Sequence, residues 1–344
     1  MSTLLEQEIL SQPEVLAGLL DKELARVQRI VAELPGFSYA MIAARGTSDH
    51  AATYAQYAWG ALARRPVALA TPSLHTLYHA PPRLDGALVV GVSQSGQSPD
   101  IVSVVEEGRR QGRPTLAITN DGSSPLAAAA DYVIELHAGA ERSVAATKTY
   151  TAQLAVMALL AAAWSGEQAR LDELQRLPEA LAATLQGATI VGPRAERYRY
   201  MEQCVVIGRG YNYPTALELA LKLKELTYVM ADAYSSADFR HGPIATIAQG
   251  MPALLIMPTG ATFADMLELA HELRARGAEL IICSDAPEAQ ALATTVLPLA
   301  GALPEWLSPV AAIVPGQLLA LHLALARGLA PDQPRGLKKV TLTV

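Results

Sequence analysis

The sequence predicts an α/β protein built as two tandem domains, each a doubly wound parallel sheet flanked by helices. Three observations predict it. Short apolar runs bounded by turn residues alternate with segments whose apolar residues recur at helical spacing, the pattern of a parallel sheet covered on both faces. The pattern then starts again half-way along: Asp100 aligns with Asp265 and Gly112 with Gly277, both pairs 165 residues apart. The 344 residues, 51% apolar with an excess of alanine and leucine and only 17% charged, leave room for two large cores.

The elements follow in order. Residues 1–36 read as helical, broken at Pro13 and ended by Pro35-Gly36. Tyr39 to Ala43 reads as a strand, Arg45 to Asp49 as a turn and 50–63 as a helix. Val67 to Ala70 fits a short strand. The apolar run Leu88 to Val92 is a buried strand, followed by a loop and a helix that Ser98 is expected to cap, Pro99 opens and Gly112 ends. Strands at 114–119 and 132–136 follow, then a long Ala/Leu helix through Trp164 and an amphipathic connection at 167–199. The second copy supplies strands at 204–208, 253–257 and 279–284, a helix at 214–229, a polar loop at 231–245, a helix at 264–277 and a final Ala/Leu helix at 309–328. The expected division is an N-terminal helical segment 1–36, domains 37–187 and 188–330, and a tail 331–344 in which 339–344 is free to fold back as a strand or clamp.

Composition excludes several classes. Net charge is −6 and no basic cluster stands out, so neither nucleic acid nor an anionic membrane is an expected partner. Cys204 and Cys283 are far apart and make no disulfide framework. The N-terminus lacks the form of a signal peptide, and the longest apolar run, Leu154 to Trp164, is too short to span a bilayer. A cytoplasmic protein is expected. No histidine pair has metal-ligand spacing, so no metal and no cofactor is expected. Gly208-Arg209-Gly210 lacks the third glycine of a dinucleotide fingerprint, and Gly91 to Ser95 is not a GxSxG elbow.

Two constellations carry chemistry. Ser93-Gln94-Ser95-Gly96-Gln97-Ser98 lies between a strand and a helix N-terminus, where free N–H groups and the dipole favour an anion. No lysine or arginine lies in this loop, which suits a small phosphate monoester better than a nucleotide. The second copy has Pro258, Gly260 and Phe263 in place of Ser93, Ser95 and Ser98, so the hydroxyls are not a requirement of the turn. The second constellation is on the 214–229 helix, apolar nearly all round and so buried. Glu218, Lys222 and Glu225 share one of its faces and either form an ion-pair network or line a pocket. His241, fixed by Gly242-Pro243, and the basic tail residues Arg335, Lys338 and Lys339 complete the candidates.

In combination, RGTS at 45–48, SQSGQS at 93–98, ERSVAATKTYTAQ at 141–153, GRGYNYPTALELALKLKE at 208–225, FRHGP at 239–243 and DQPRGLKK at 332–339 resemble the tandem SIS (sugar isomerase) family. The resemblance runs over about residues 20–344. It is to the isomerase half of glucosamine-6-phosphate synthase and, more closely, to stand-alone SIS aminosugar-phosphate deaminases and isomerases. It implies that Ser93, Gln94, Ser95 and Ser98 hold the phosphate, that Thr47 and Ser48 contact the sugar, and that Val144 and Ala145 belong to the substrate site. It implies further that Glu225 moves the proton between C1 and C2 with Glu218 and Lys222 beside it, and that Lys339 lies near the substrate carbonyl. His241 would open the sugar ring, reaching the site of a partner subunit, which makes the protein a homodimer with two shared active sites. Two residues depart from the synthases: Arg45 stands where they have cysteine, and Ala146 where they have a phosphate-side hydroxyl. SIS-like sequence starts almost at once after Ser2, so no glutaminase half is expected. The expected substrate is a hexosamine or hexose 6-phosphate, and the expected reaction is glucosamine-6-phosphate deamination. Galactosamine 6-phosphate, a glycated amino-acid phosphate, and a non-catalytic sugar-phosphate sensor are the alternatives.

Overall fold

Two five-stranded parallel sheets carry the chain in a computed structural model that describes residues 2–300 and 303–340. The first holds β1 (Tyr39–Ala43), β2 (Val67–Leu69), β3 (Ala87–Ser93), β4 (Thr115–Thr119) and β5 (Tyr132–Glu135) in the order β2-β1-β3-β4-β5. The second holds β6 (Gln203–Gly208), β7 (Met230–Ser235), β8 (Pro252–Ile256), β9 (Glu279–Ser284) and β10 (Thr295–Pro298) in the order β10-β9-β8-β6-β7. Read from either end, these are the same topology, as the duplication requires. Every pairing is parallel. In each sheet the strand order reverses beside the first strand of the copy. Open α/β sheets bind ligands in the crevice at such a switch point. In the first sheet it lies between β1 and β3, where Ala43 is level with Gly91.

The chain forms two compact units. One contains the first sheet, Glu14–Glu141, Lys148–Gln175 and the tail from Lys338; the other contains the second sheet, Arg176–Leu337, the N-terminal stretch to Pro13 and the loop Arg142–Thr147. In the first unit Val89, Ile101, Val104, Val105 and Leu126 build one face of the core. The helices Thr47–Leu62 and Lys148–Ser165 pack closely together. Trp59 seals their contact: its indole N–H donates to the Met157 carbonyl at 2.9 Å, and its ring meets Trp164 edge-on at 4.8 Å. In the second unit Val205, Ile207, Phe239, Leu255, Met266, Leu269 and Ile282 form the equivalent core.

Some elements differ from the sequence reading. Thr47, Ser48 and Asp49 form the first turn of a helix instead of a loop, because Gly46 takes a positive φ of 52° and lets the helix begin at once. The stretch after Val229 is not all loop: Met230–Ser235 is β7, and Ser236–Arg240 is a short helix capped by the Ser235 hydroxyl. Its small, mixed side chains suit an edge strand and give no apolar run to detect. Strand β10 at the other edge, four residues ending in Pro298, is likewise absent from the sequence reading. The longest apolar helix is Ser308–Ala326, not the run at 154–164; prolines, Gln317 and His322 interrupt its pattern in the sequence. The stretch Glu305–Ala326 is long and apolar enough to cross a bilayer, yet 83% of its most apolar part is buried in the fold. It is the central helix of its unit, packed on the helices Tyr213–Thr227, Val191–Ala195, Leu177–Gly187 and Leu4–Leu10. Residues 338–340 form no strand, and 341–344 of the expected clamp lie outside the described residues.

Candidate active site

In the first unit the serine loop leaves the C-terminal end of β3 at the switch point. Gly96 has a positive φ of 63°, and a Cβ there would meet the Ser124 hydroxyl at 2.2 Å, so the turn admits only glycine. The Ser93 hydroxyl accepts from Gly96 N–H at 3.1 Å, and the Ser95 hydroxyl from Gln97 N–H at 3.3 Å. These two bonds shape the loop and leave each hydroxyl its own proton to donate. Ser98 stands at the N-cap of the helix Pro99–Arg110, but its side chain makes no capping bond. The expected cap therefore fails at the hydroxyl and leaves that group uncommitted. The Gln94 carbonyl accepts from Asn120 N–H at 3.1 Å, which fixes the loop to the end of β4. Next to it, at the end of β1, Ser48 is buried and accepts from Gln153 Nε2 at 2.9 Å. Thr47 opens the same helix.

The tail reaches the same unit through Lys339. Its ammonium is 2.6 Å from Glu141 Oε2, and the Glu141 side chain is fully buried. Glu141 also accepts from Thr149 N–H at 3.1 Å and Thr149 O–H at 2.8 Å, in the first turn of the helix Lys148–Ser165. A buried carboxylate thus fixes the position of a lysine that would otherwise hang on a terminal segment.

In the second unit the helix Tyr213–Thr227 presents Lys222 between two carboxylates, 3.3 Å from Glu218 and 2.5 Å from Glu225. Burial works against the lysine's charge, but the two carboxylates outweigh it and hold its pKa above the ordinary value. The side chains of Glu218 and Lys222 are sealed, at 0% and 1% exposure, whereas Glu225 is 23% exposed. The helix ends at Tyr228, which adopts a left-handed conformation, and the tail docks there: Arg335 N–H donates to the Tyr228 hydroxyl at 2.8 Å and the guanidinium stacks 4.0 Å from the ring. His241 follows the short helix Ser236–Arg240; it is exposed, and its ring makes no hydrogen bond among the described residues. Val144 and the buried Ala145 lie on the loop Arg142–Thr147. Glu8 holds that loop by accepting from Arg142 N–H at 2.5 Å and Ser143 N–H at 3.3 Å, and the Asp332 carbonyl accepts from Val144 N–H at 3.4 Å. Asp332 also caps the N-terminal helix, taking Leu4 N–H at 3.0 Å and Leu5 N–H at 2.8 Å.

The SIS domain model matches residues 39–163 and again 199–327. The chain belongs to the SIS family. Its relatives include glutamine–fructose-6-phosphate aminotransferase (isomerizing) of Thermococcus kodakarensis, 34% identical over 97% of this chain. The chain spans only 57% of that relative's length. Among solved structures it is similar to the C-terminal domain of glucosamine-fructose-6-phosphate aminotransferase from Francisella tularensis, with a TM-score of 0.89 and 28% identity over 97% of this chain and 99% of that one. Glucosamine-6-phosphate deaminase from Thermotoga maritima shares the fold, with a TM-score of 0.79 at 19% identity over 99% of this chain and 100% of that one.

Within this SIS chain, sequence reasoning missed the residues that hold the candidates rather than the candidates themselves. Glu8, Glu141, Gln153 and Asp332 are far in sequence from what they fix. Only Glu141 and Gln153 carried a signal, as polar residues flanking and entering an otherwise apolar helix.

Proposed function

We propose that the chain is a phosphosugar isomerase of the deaminating kind, which converts glucosamine 6-phosphate and water to fructose 6-phosphate and ammonia. The observation that carries the reading is the exposure gradient along Glu218, Lys222 and Glu225. A purely structural ion-pair network gains nothing by sealing two members and leaving the third at a solvent opening. A base needs that arrangement. When Glu225 takes a proton, the sealed Glu218–Lys222 pair left behind is neutral, so no uncompensated charge is created inside the unit.

The residues supply each step. Hydroxyls of Ser93, Ser95 and Ser98, with Gln94, anchor the phosphate, and Thr47 and Ser48 orient the sugar, whose binding energy is spent on orientation. Val144 and Ala145 line the substrate with their backbone. His241 passes the C1 hydroxyl proton to the ring oxygen, giving the open-chain aldehyde; imidazole does this readily near neutral pH. Glu225 takes the hydrogen of C2 as a proton and returns it to C1, while one amine proton passes to the C1 oxygen, so that C1 becomes a hydroxymethyl carbon and the C2 amine an imine. Lys339 offsets charge on the developing enolate oxygen. Water then adds to C2 and ammonia leaves, with no other co-substrate. The aminotransferases named above carry fructose 6-phosphate in their names, which supports a hexose or hexosamine 6-phosphate as the ligand, and the hydrolytic direction needs only water. The exposed, unpaired ring of His241 supports a homodimer in which it serves the partner's site. Mixing inactive His241→Ala and Glu225→Gln subunits is expected to restore about a quarter of the activity, because one site in the mixed dimer regains both groups; no recovery after verified subunit exchange would refute the sharing.

A coupled assay on purified protein tests the reading, following ammonia and fructose 6-phosphate together. Equal release of both is expected. Ketose without ammonia from another hexose phosphate would make it an isomerase, and turnover only of galactosamine 6-phosphate or a glycated amino-acid phosphate would change the substrate. Saturable binding without turnover would make it a sensor.

A further inference from the structure

We propose that Arg45, beside the serine loop, is the cationic contact for the ligand's phosphate group and a specificity-determining residue. The proposal rests on the phosphosugar reading and adds to it a residue outside the loop.

A phosphate monoester carries about −1.5 to −2 charges at neutral pH. The loop 93–98 brings hydroxyls, an amide and a helix end to it, but no cationic side chain. Arg45 follows β1, the strand paired directly with β3, so its turn and the serine loop emerge side by side at the switch point. Its Nε–H donates to Asp100 Oδ2 at 2.8 Å. Asp100 is fully buried, lies two residues beyond Ser98 and sits in the first turn of the loop's own helix. The guanidinium is therefore fixed to the end of the helix that the phosphate would approach. The pair uses only Nε. Both Nη groups are without a hydrogen-bond partner among the described residues, and half of the side chain is exposed. What remains is a planar donor fork, of the kind that binds phosphate oxygens in pairs.

The second copy provides an internal comparison. There an arginine also ends the first strand, Arg209 before Gly210, but its Nη1 is turned to the Ser236 hydroxyl at 3.4 Å, while Asp265, the counterpart of Asp100, is taken by Arg240 from another element, through Nη1 at 2.8 Å with Nη2 on the Asp265 carbonyl at 3.1 Å. The loop beside it, 258–263, has lost the serine hydroxyls. Both copies thus keep an arginine at the strand end, but only beside the hydroxyl-bearing loop is it held through Nε to the loop's own helix with its fork left open.

The test is calorimetric titration of inorganic phosphate and of glucosamine 6-phosphate into wild type, Arg45→Lys and the double variant Arg45→Met/Asp100→Asn. The double variant removes both charges together, so no buried carboxylate is stranded and folding is preserved. Its Kd for either ligand is expected to rise about 10- to 100-fold. Arg45→Lys, which keeps the charge and loses the fork, should fall in between. In steady-state assays KM for the phosphorylated sugar should rise with kcat within about threefold, and the weak binding of unphosphorylated glucosamine should not change. Unchanged phosphate affinity in a folded double variant, with Ser95→Ala still weakening it, would overturn the role of Arg45 alone. Absence of phosphosugar binding in the wild type would overturn the underlying reading as well.

Discussion

Replacing Lys222 by methionine is expected to destabilise the protein by about 3–5 kcal/mol, the usual cost of removing one partner from a buried ionic cluster. The ammonium is sealed between Glu218 and Glu225, so its loss leaves two carboxylates on one helix face without the cation that joins them. Replacing Lys222 and Glu218 together, by methionine and leucine, should recover most of the loss, since the stranded buried charge goes with it. Urea denaturation at 25 °C measures both. The pH dependence has a definite sign. The folded-state pKa of Lys222 lies above the ordinary 10.5, so its stabilisation is fully present below that value and fades as pH rises beyond it. The wild type should lose stability on the alkaline side, and Lys222→Met should lose less of it there. An unchanged alkaline slope would mean that Lys222 is not the group responsible.

Replacing Glu225 by glutamine is expected to lower kcat by about 10²–10⁴-fold, the range that general acid–base groups contribute. KM should stay within about threefold, because Glu225 handles a proton and does not hold the phosphate. Stability should change little: Lys222 keeps Glu218, and Glu225 is the member of the cluster that reaches solvent. An equal loss for ammonia and for ketose would assign both products to one proton transfer. If kcat were retained, the base would lie elsewhere, and the exposure gradient would have no catalytic meaning.

The fold was legible because its signals are local. Alternating strands and helices give the sheet type, and the paired positions Asp100/Asp265 and Gly112/Gly277 expose the duplication without any tertiary information. The candidates were legible for a related reason. Glu218, Lys222 and Glu225 stand out against an apolar helix, and the serines stand out against a second copy that lacks them. The edge strands of the first sheet were legible but those of the second were not: Met230–Ser235 alternates small residues that need no deep burial. The supporting residues were not legible either, because their partners lie far along the chain. Glu141 meets Lys339, and Glu8 meets the amide of Arg142, only once the chain has folded. The cap at Ser98 shows the limit in the other direction: the sequence places the right residue at the N-cap, but the hydroxyl makes no capping bond.

In the proposed reaction Glu225 moves a proton between C2 and C1 of a phosphosugar. Proton NMR of glucosamine 6-phosphate in D₂O, with wild type and with Glu225→Gln at matched occupancy, tests it most directly. The wild type is expected to consume the C2 hydrogen signal as ketose forms, while the variant binds the sugar phosphate yet leaves that signal intact. Loss of the C2 hydrogen at the wild-type rate in the variant would contradict it.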